Sequence, residues 1–346
     1  MKYIWNDLVK WSVMQKTFVM ARVVETWKSA PRKPGSVMLI DKEMHVVGSV
    51  SGGCIEGAVI QEAQGVMETG RPSHVHYGIE DETAWSVGLS CGGEVQVLIE
   101  KHWSVSDDPV AERVWNQMQE CVNENKSIVL LTQVSPTPLA PMMVDERGNT
   151  EEAWPTFDEE LKRLSLEILK AGKSQIQKWQ QYKIFFHVMP AIDQMLIIGA
   201  GHISIALIQL AHQMEFETIV MDPRSIFTNR RRFDVSPTRL ITEWPHEILK
   251  DWPLHKNLYV VFLTHDPKID DPALHLVLKE PVAYIGALGS HRTHAKRCQR
   301  LKENGFSEED IKKIHAPVGV DIGAETPSEI ALSILAEIIQ VKRKAR

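Results

Sequence analysis

An apolar run, Met195-Leu-Ile-Ile, ends on Gly199-Ala200-Gly201-His202, and helical spacing begins at Ile203. This junction constrains the chain more than any other feature. A strand that turns abruptly into a helix needs a residue free to take positive φ, which the first glycine supplies. The second glycine lets a ligand phosphate approach the backbone N–H groups at the positive end of the helix. Downstream, strand patterns at Glu217 to Asp222, Leu258 to Thr264 and Val282 to Ile285 alternate with helical ones. The helices are expected at Ile203 to Met214, about Asp271 to Lys279, and His291 to Asn304. Near-continuous apolar strands alternating with helices predict a parallel sheet covered on both faces. The last helix should start on Thr326-Pro-Ser-Glu, with Thr326 as N-cap, Pro327 at N1 and Glu329 at N3. Residues 191–346 are therefore expected to form a Rossmann-type, doubly wound parallel sheet in an α/β chain.

In such a sheet ligands bind outside the carboxyl ends of the strands. Gly199, Gly201 and His202 are the candidate phosphate contacts there. The third position of the glycine fingerprint is Ser204, which is small enough for close packing but departs from the usual Gly or Ala. Asp222 ends the second strand, where an acid can bind a ribose hydroxyl. Gly289 and Ser290 precede another helix and form a candidate second anion cradle. His265 and His291 also fall at strand ends and could touch a ligand or remain ordinary surface histidines.

The first 190 residues read differently. Phe18 to Glu25, Ser36 to Ile40, His45 to Val50 and Glu94 to Glu100 read as strands, the last with clean period-two alternation. An amphipathic helix is expected within Met1 to Lys16 and another from Glu56 through Met67. Residues 1–104 are expected to form an α+β domain. Residues 105–190, with a helix through Val110, Val114, Met118 and Val122 and strands at Ser127 to Val134 and Trp179 to Val188, form a middle supporting region. No secretory leader pattern and no membrane-length apolar run is present, so a cytoplasmic protein without membrane contact is expected. The formal charge of -6 leaves no basic surplus to neutralise phosphates along a strand, which argues against nucleic acid as a partner.

Four cysteines, Cys54, Cys91, Cys121 and Cys298, form no CxxC pair and cannot supply a zinc ribbon or a Cys₄ cluster. Cys121 and Cys298 sit in helical patterns and read as inert thiols. Cys54 and Cys91 are flanked by glycines, in Ser51-Gly52-Gly53-Cys54-Ile55-Glu56 and Ser90-Cys91-Gly92-Gly93-Glu94. Flexible backbone beside a thiol lets a bulky ligand approach, and a helix N-terminus after Cys54 favours a thiolate. Two tight turns with incidental cysteines is the plainer reading of the same residues. Arg32 and Lys33, in the Pro–Gly loop, could meet an anion or simply be solvated.

At these residues the chain resembles the xanthine dehydrogenase accessory factor family, the XdhC/CoxI proteins. "GSVSGGCIEGAVIQEA" and "SCGGEVQVLIE" are similar to its first domain. "MLIIGAGHIS", "VMDPR", "YIGALGSHR" and "APVGVDIGAETPSEIALSILAEI" are similar to its C-terminal domain. The resemblance implies a maturation factor for molybdenum hydroxylases. Such a factor binds molybdenum cofactor (a molybdopterin), supports its sulfuration together with a cysteine desulfurase, and aids insertion into a xanthine dehydrogenase-type apo-enzyme of purine metabolism. It implies that Cys54, Glu56 and Cys91 are the reactive candidates. Gly52, Gly53, Gly199, Gly201, His202, Asp222, Gly289 and Ser290 become the ligand-binding candidates. No protein metal ligands are implied, and a homodimer is expected.

The alternative is an NAD(P)-dependent oxidoreductase working through the glycine loop, for which residues 1–190 offer no recognisable substrate domain. Xanthine dehydrogenase itself would need cysteines for two Cys₄ iron–sulfur clusters. A pure scaffold, with the Rossmann-type domain as an interaction surface, is the third reading.

Overall fold

The structure, a computed structural model, describes residues 4–78, 93–105, 108–135, 141–150, 154 and 157–344. The chain divides into two units, Met1–Ala191 and Ile192–Arg346.

In the first unit α1 (Trp5–Val13) precedes β1 (Phe18–Trp27), β2 (Val37–Asp41), β3 (Val46–Gly48), α2 (Glu56–Thr69), β4 (Ser73–Tyr77) and β5 (Glu94–Lys101). The strands form an antiparallel sheet in the order β3-β2-β1-β5-β4. Alternation along β1 sorts its side chains between two cores. Val19, Ala21 and Val23 pack with Val59, Ala63 and Val66 of α2. Phe18 and Met20 face the other way, into a core shared with Leu8 and Trp11 of α1. That second core also takes Val114, Trp115 and Met118 of α3 (Pro109–Asn123), which Asp108 caps by accepting from the Val110 N–H.

A second antiparallel sheet, ordered β7-β6-β9-β8, follows from β6 (Ile128–Ser135), β7 (Met142–Asp145), β8 (Gln175–Trp179) and β9 (Tyr182–Met189). Its Ile128, Leu130 and Met143 close the core of α1 and α3, while Val129, Leu131 and Phe186 pack on Leu161 and Ile168 of α4 (Glu159–Ala171). Residues 105–190 thus share a core with β1 and β2. The span Trp179 to Val188, expected as one strand, is a hairpin: Trp179 pairs with Tyr182 across Gln180 and Gln181. Gln180 takes φ +51 there, a turn conformation that a Gln–Gln pair does not announce.

The second unit runs β10 (Gln194–Ile198), α5 (His202–Gln213), β11 (Glu217–Met221), β12 (Arg239–Ile241), α6 (Pro245–Leu249), β13 (Leu258–Phe262), α7 (Pro267–Val277), β14 (Tyr284–Ala287), α8 (His291–Glu303), α9 (Glu308–Ile311), β15 (Ile314–His315) and α10 (Pro327–Lys344). Its six strands are all parallel, in the order β12-β11-β10-β13-β14-β15. Met195 and Ile197 of β10 pack beneath α5 and α10; Leu196 and Ile198 pack on the opposite face with α7. The fold class expected from the sequence is the one observed. The capping box opening α10 is also present: Glu329 accepts from the Thr326 N–H at 2.9 Å, and Thr326 Oγ1 accepts from the Glu329 N–H at 3.3 Å. Helix α7 begins four residues before its expected start. Two Asp–Pro pairs lie close together here, and Asp266-Pro267, with Asp266 accepting from the Lys268 N–H, is the one used as cap and first residue. Pro272 lies inside the helix. Among the described residues no helix is long and apolar enough to cross a membrane.

Candidate functional site

Two constellations emerge, one in each unit. In the first, the turn between β3 and α2 wraps around one carboxylate. Glu56 Oε1 accepts from Ser49 Oγ at 2.7 Å and from the N–H groups of Val50, Ser51 and Gly52 at 3.2, 2.9 and 3.0 Å. Its Oε2 accepts from Ser51 Oγ at 2.5 Å and the Gly53 N–H at 2.8 Å. Such a ring of N–H groups at a helix start is an anion nest, and here the anion is the chain's own Glu56. Burial alone would push this carboxyl up; the Ser51 and Ser49 hydroxyls and the backbone amides overcome that and hold its pKa down at about 2. Ser51 Oγ in turn accepts from the N–H groups of Cys54 and Ile55, both at 3.0 Å.

The geometry therefore gives Glu56 the work of holding the loop, as a carboxylate ringed by donors. Gly52 and Gly53 have φ of +84 and +118, and the space where a Cβ would project is open at both. Their conformation, not crowding, is what asks for glycine. Cys54 sits half-buried at the edge of this rigid turn. Arg32 and Lys33 are exposed. The second expected loop, with Cys91, lies outside the described residues.

In the second unit the carboxyl ends of β10 and β13 meet at Gly199, at the point where the strand order reverses. A Cβ on Gly199, whose φ is +108, would lie 2.8 Å from Thr264 Cγ2 and 3.1 Å from the Leu263 carbonyl carbon. Only glycine lets these two strand ends approach so closely. Gly201 is different: it is the N-cap of α5 with φ −76, and no atom stands within 4 Å of its absent Cβ. His202, the first residue of α5, is exposed.

Ser204 does more than fit. It is fully buried and its Oγ donates to the Gly199 carbonyl at 2.5 Å, fixing the turn. Asp222 is also fully buried. It accepts from the Ala200 N–H at 2.8 Å, and Arg224 holds it with Nε and Nη2 at 2.9 and 2.7 Å. Burial would raise the Asp222 carboxyl; the Arg224 fork and the Ala200 amide outweigh it and hold the group below the ordinary range. Arg232 donates to the Ala200 and Phe227 carbonyls at 2.9 and 2.7 Å, bracing the loop from the other side.

Gly289 and Ser290 lie past the end of β14. Gly289 has φ +139, and Ser290 caps α8 by accepting from the Thr293 N–H at 3.2 Å. The structure thus gathers Gly52, Gly53, Cys54 and Glu56 into one turn. It gathers Gly199, Gly201, His202 and Asp222 at one sheet edge, with Gly289 and Ser290 two strands along. Sequence reasoning missed Ser51, Arg232 and Arg297. Ser51 lay within the glycine–cysteine loop, and Arg297 had a signal in the recurrence of cations at Arg292, Lys296 and Arg300 along one helix.

Comparison with known proteins converges on one family. Residues 195–338 match the model described as the XdhC Rossmann domain, and residues 11–78 match that of the XdhC and CoxI family. The chain is 26% identical over 332 residues to a probable xanthine dehydrogenase subunit of Bacillus subtilis (strain 168), covering 95% of this chain and 94% of that protein. It is 26% identical over 327 residues to the molybdenum cofactor insertion chaperone PaoD of Escherichia coli (strain K12), covering 94% of this chain and 84% of that one. A solved structure from Bacillus halodurans, described as a xanthine dehydrogenase, aligns with a TM-score of 0.78 at 26% identity over 98% of this chain and 96% of the other.

Proposed function

Because the chain belongs to the XdhC and CoxI family, we propose that it is an insertion chaperone for the molybdenum cofactor of a xanthine dehydrogenase-type hydroxylase. The cofactor is its cargo. In this reading Cys54 faces the molybdenum with a soft sulfur donor, and Cys91 shares that work. Gly52 and Gly53 leave room for the bulky pterin. Gly199, Gly201, His202, Asp222, Gly289 and Ser290 form the ligand-binding edge of the Rossmann domain. A cysteine desulfurase supplies sulfur, the protein acts as a homodimer in the cytoplasm, and the apo-hydroxylase is the acceptor.

One observation carries the reading: a cysteine mounted on a turn that Glu56 stiffens with six hydrogen bonds, beside two glycines with nothing over them. A turn rigidified around a thiol, and left open next to it, suits a ligand that must be held and then released. The chain's four cysteines cannot furnish two Cys₄ clusters, which sets it apart from the hydroxylase itself. The oxidoreductase alternative draws on the open Gly201 N-terminus of α5, but its ribose-binding acid, Asp222, is already held by Arg224 and Ala200.

The test is retention of molybdenum cofactor by the purified protein and activation of an apo-hydroxylase in its presence. Cys54→Ser should lower both while leaving the thermal midpoint unchanged. Retention and activation equal to wild type in Cys54→Ser and Cys91→Ser alike would overturn the role given to the thiols. Stoichiometric NAD(H) in the purified protein with no pterin would favour the oxidoreductase.

A further inference from the structure

A cavity of about 230 Å³ lies between the first turns of α7 and the face of α8 that runs from Arg292 to Arg300. Along its α8 wall Arg292, Lys296 and Arg300 recur every fourth residue, with Arg297 beside them. Helix N-termini ordinarily attract acids, yet the first turn of α8 has none and carries Arg292 instead. Cations at the positive end of a helix repel it unless an anion lies between them.

The facing wall holds Asp270 and Asp271, and both are already matched. Asp271 receives Nε and Nη2 of Arg300 at 2.5 and 3.0 Å. Asp270 accepts from Thr264 Oγ1 at 2.6 Å and stands 4.0 Å from Arg297. Arg292 and Lys296, both exposed, form no ion pair among the described residues. Arg297 is only 3% exposed, donates Nη2 to the Leu288 carbonyl at 3.2 Å, and keeps Nε and Nη1 without a hydrogen-bond partner. A buried guanidinium with unmatched donors is costly, and a second anion beside it would offset that cost. Among the lining residues His265 holds φ +62, a left-handed conformation that a non-glycine residue adopts under constraint.

We propose that this cavity binds a phosphate group through Arg292, Lys296 and Arg297. The volume is below the roughly 300 Å³ at which pockets enclose a whole small-molecule ligand, so an anionic end group fits and a complete cofactor does not. None of the residues lining the cavity belongs to the Gly199 loop, and the proposal does not depend on the cargo proposed above. Inorganic phosphate and a phosphate monoester share the recognising chemistry.

Isothermal titration of the full chain at low ionic strength, with inorganic phosphate and with methyl phosphate, tests it. Binding should be one-to-one and should weaken about tenfold or more in the double variant Arg292→Gln/Lys296→Gln, which loses charge-assisted donors at exposed positions that folding does not require. A control variant, Arg230→Gln/Arg231→Gln, should bind as wild type. Tighter binding of the monoester assigns the site to the end of a larger ligand, and tighter binding of inorganic phosphate to the free ion; either supports it. No binding of either probe at millimolar concentration overturns the proposal. So does equal affinity in the double variant and wild type. Binding of Mg²⁺ alone, with phosphate excluded, would reassign the cavity to Asp270 and Asp271 and likewise overturn it. Retained cofactor delivery in a chain that fails to bind phosphate would leave the chaperone reading standing.

Discussion

Arg224 closes on Asp222 with two parallel hydrogen bonds, Nε to Oδ1 at 2.9 Å and Nη2 to Oδ2 at 2.7 Å. The pair lies two residues apart just past the end of β11, and the Ala200 and Arg224 N–H groups also donate to the carboxylate. In a dinucleotide-binding domain that acid meets a ribose hydroxyl. Here a ribose would have to displace an arginine from a buried carboxylate. The same contacts tie the β11 end to the glycine loop, so Asp222 supports the shape of the loop.

Arg224→Ala should therefore destabilise the second unit, because a buried carboxylate is left with the backbone donors alone. The expected loss is about 1–3 kcal/mol, discounted toward the lower end because Arg224 is partly exposed. Chemical denaturation followed by circular dichroism reads it as a lower midpoint. An unchanged midpoint would show that the fork contributes nothing to the fold.

The two glycines of the loop should respond differently. Gly199→Ala forces a Cβ against Thr264 and the Leu263 backbone at positive φ, and should cost about 2 kcal/mol or more. Gly201→Ala meets open space at an ordinary φ and should stay within about 1 kcal/mol of wild type. Comparable losses in both variants would contradict the close approach of β10 and β13.

Ser204→Gly would give the loop the third glycine of a dinucleotide fingerprint. It should nevertheless weaken the fold by about 1–2 kcal/mol, from the lost hydrogen bond to Gly199 and the flexibility of glycine within α5. Thermal unfolding measures the cost, and titration with NAD(H) should show no gain in affinity. A stabilised variant, or one that acquires tight NAD(H) binding, would refute the bracing role of Ser204.

The Glu56 turn has a defined pH signature. Its carboxyl falls from the ordinary 4.5 to about 2 on folding, so the unfolded chain takes up the proton first as pH drops. The stabilisation is fully present above about pH 4.5 and disappears as pH approaches 2. Wild type should be more stable than Glu56→Gln by a constant margin at neutral pH, and the margin should shrink across that acid window. A margin independent of pH between 5 and about 2 would mean that the carboxylate charge is not what holds the turn.

Much of this architecture is legible in the chain. The alternation from Gln194 onward, the strand-to-helix junction at Gly199 and the Thr326 capping box each depend on neighbours in sequence, and each appears as expected. The misses have equally local causes. Two Asp–Pro pairs make the start of α7 ambiguous, and Gln180-Gln181 carries no turn signature. Helix α4 is hidden in the sequence because Pro136, Pro138 and Pro141 interrupt the pattern before it. Its start and stop signals are nevertheless present, in Asp158 accepting from the Leu161 N–H and in Gly172 at φ +66.

The linear pattern is enough to make the second half a parallel sheet layered by helices, and to mark two glycine-flanked cysteines and a glycine loop as the places to look. Period, caps and φ requirements are properties of short stretches, and a linear string displays them. Which polar groups remain available depends on how the chain packs. Asp222 meets Ala200 across 22 residues, and Thr264 and Asp270 gather beside Arg297, because parallel strands bring their carboxyl ends to one edge. The resemblance marks Glu56 as a reactive candidate; what the fold adds is the ring of donors that closes around its carboxylate. The reason is physical: a buried charge takes whatever donors the fold brings within about 3 Å, and that neighbourhood is set by packing, not by position along the chain.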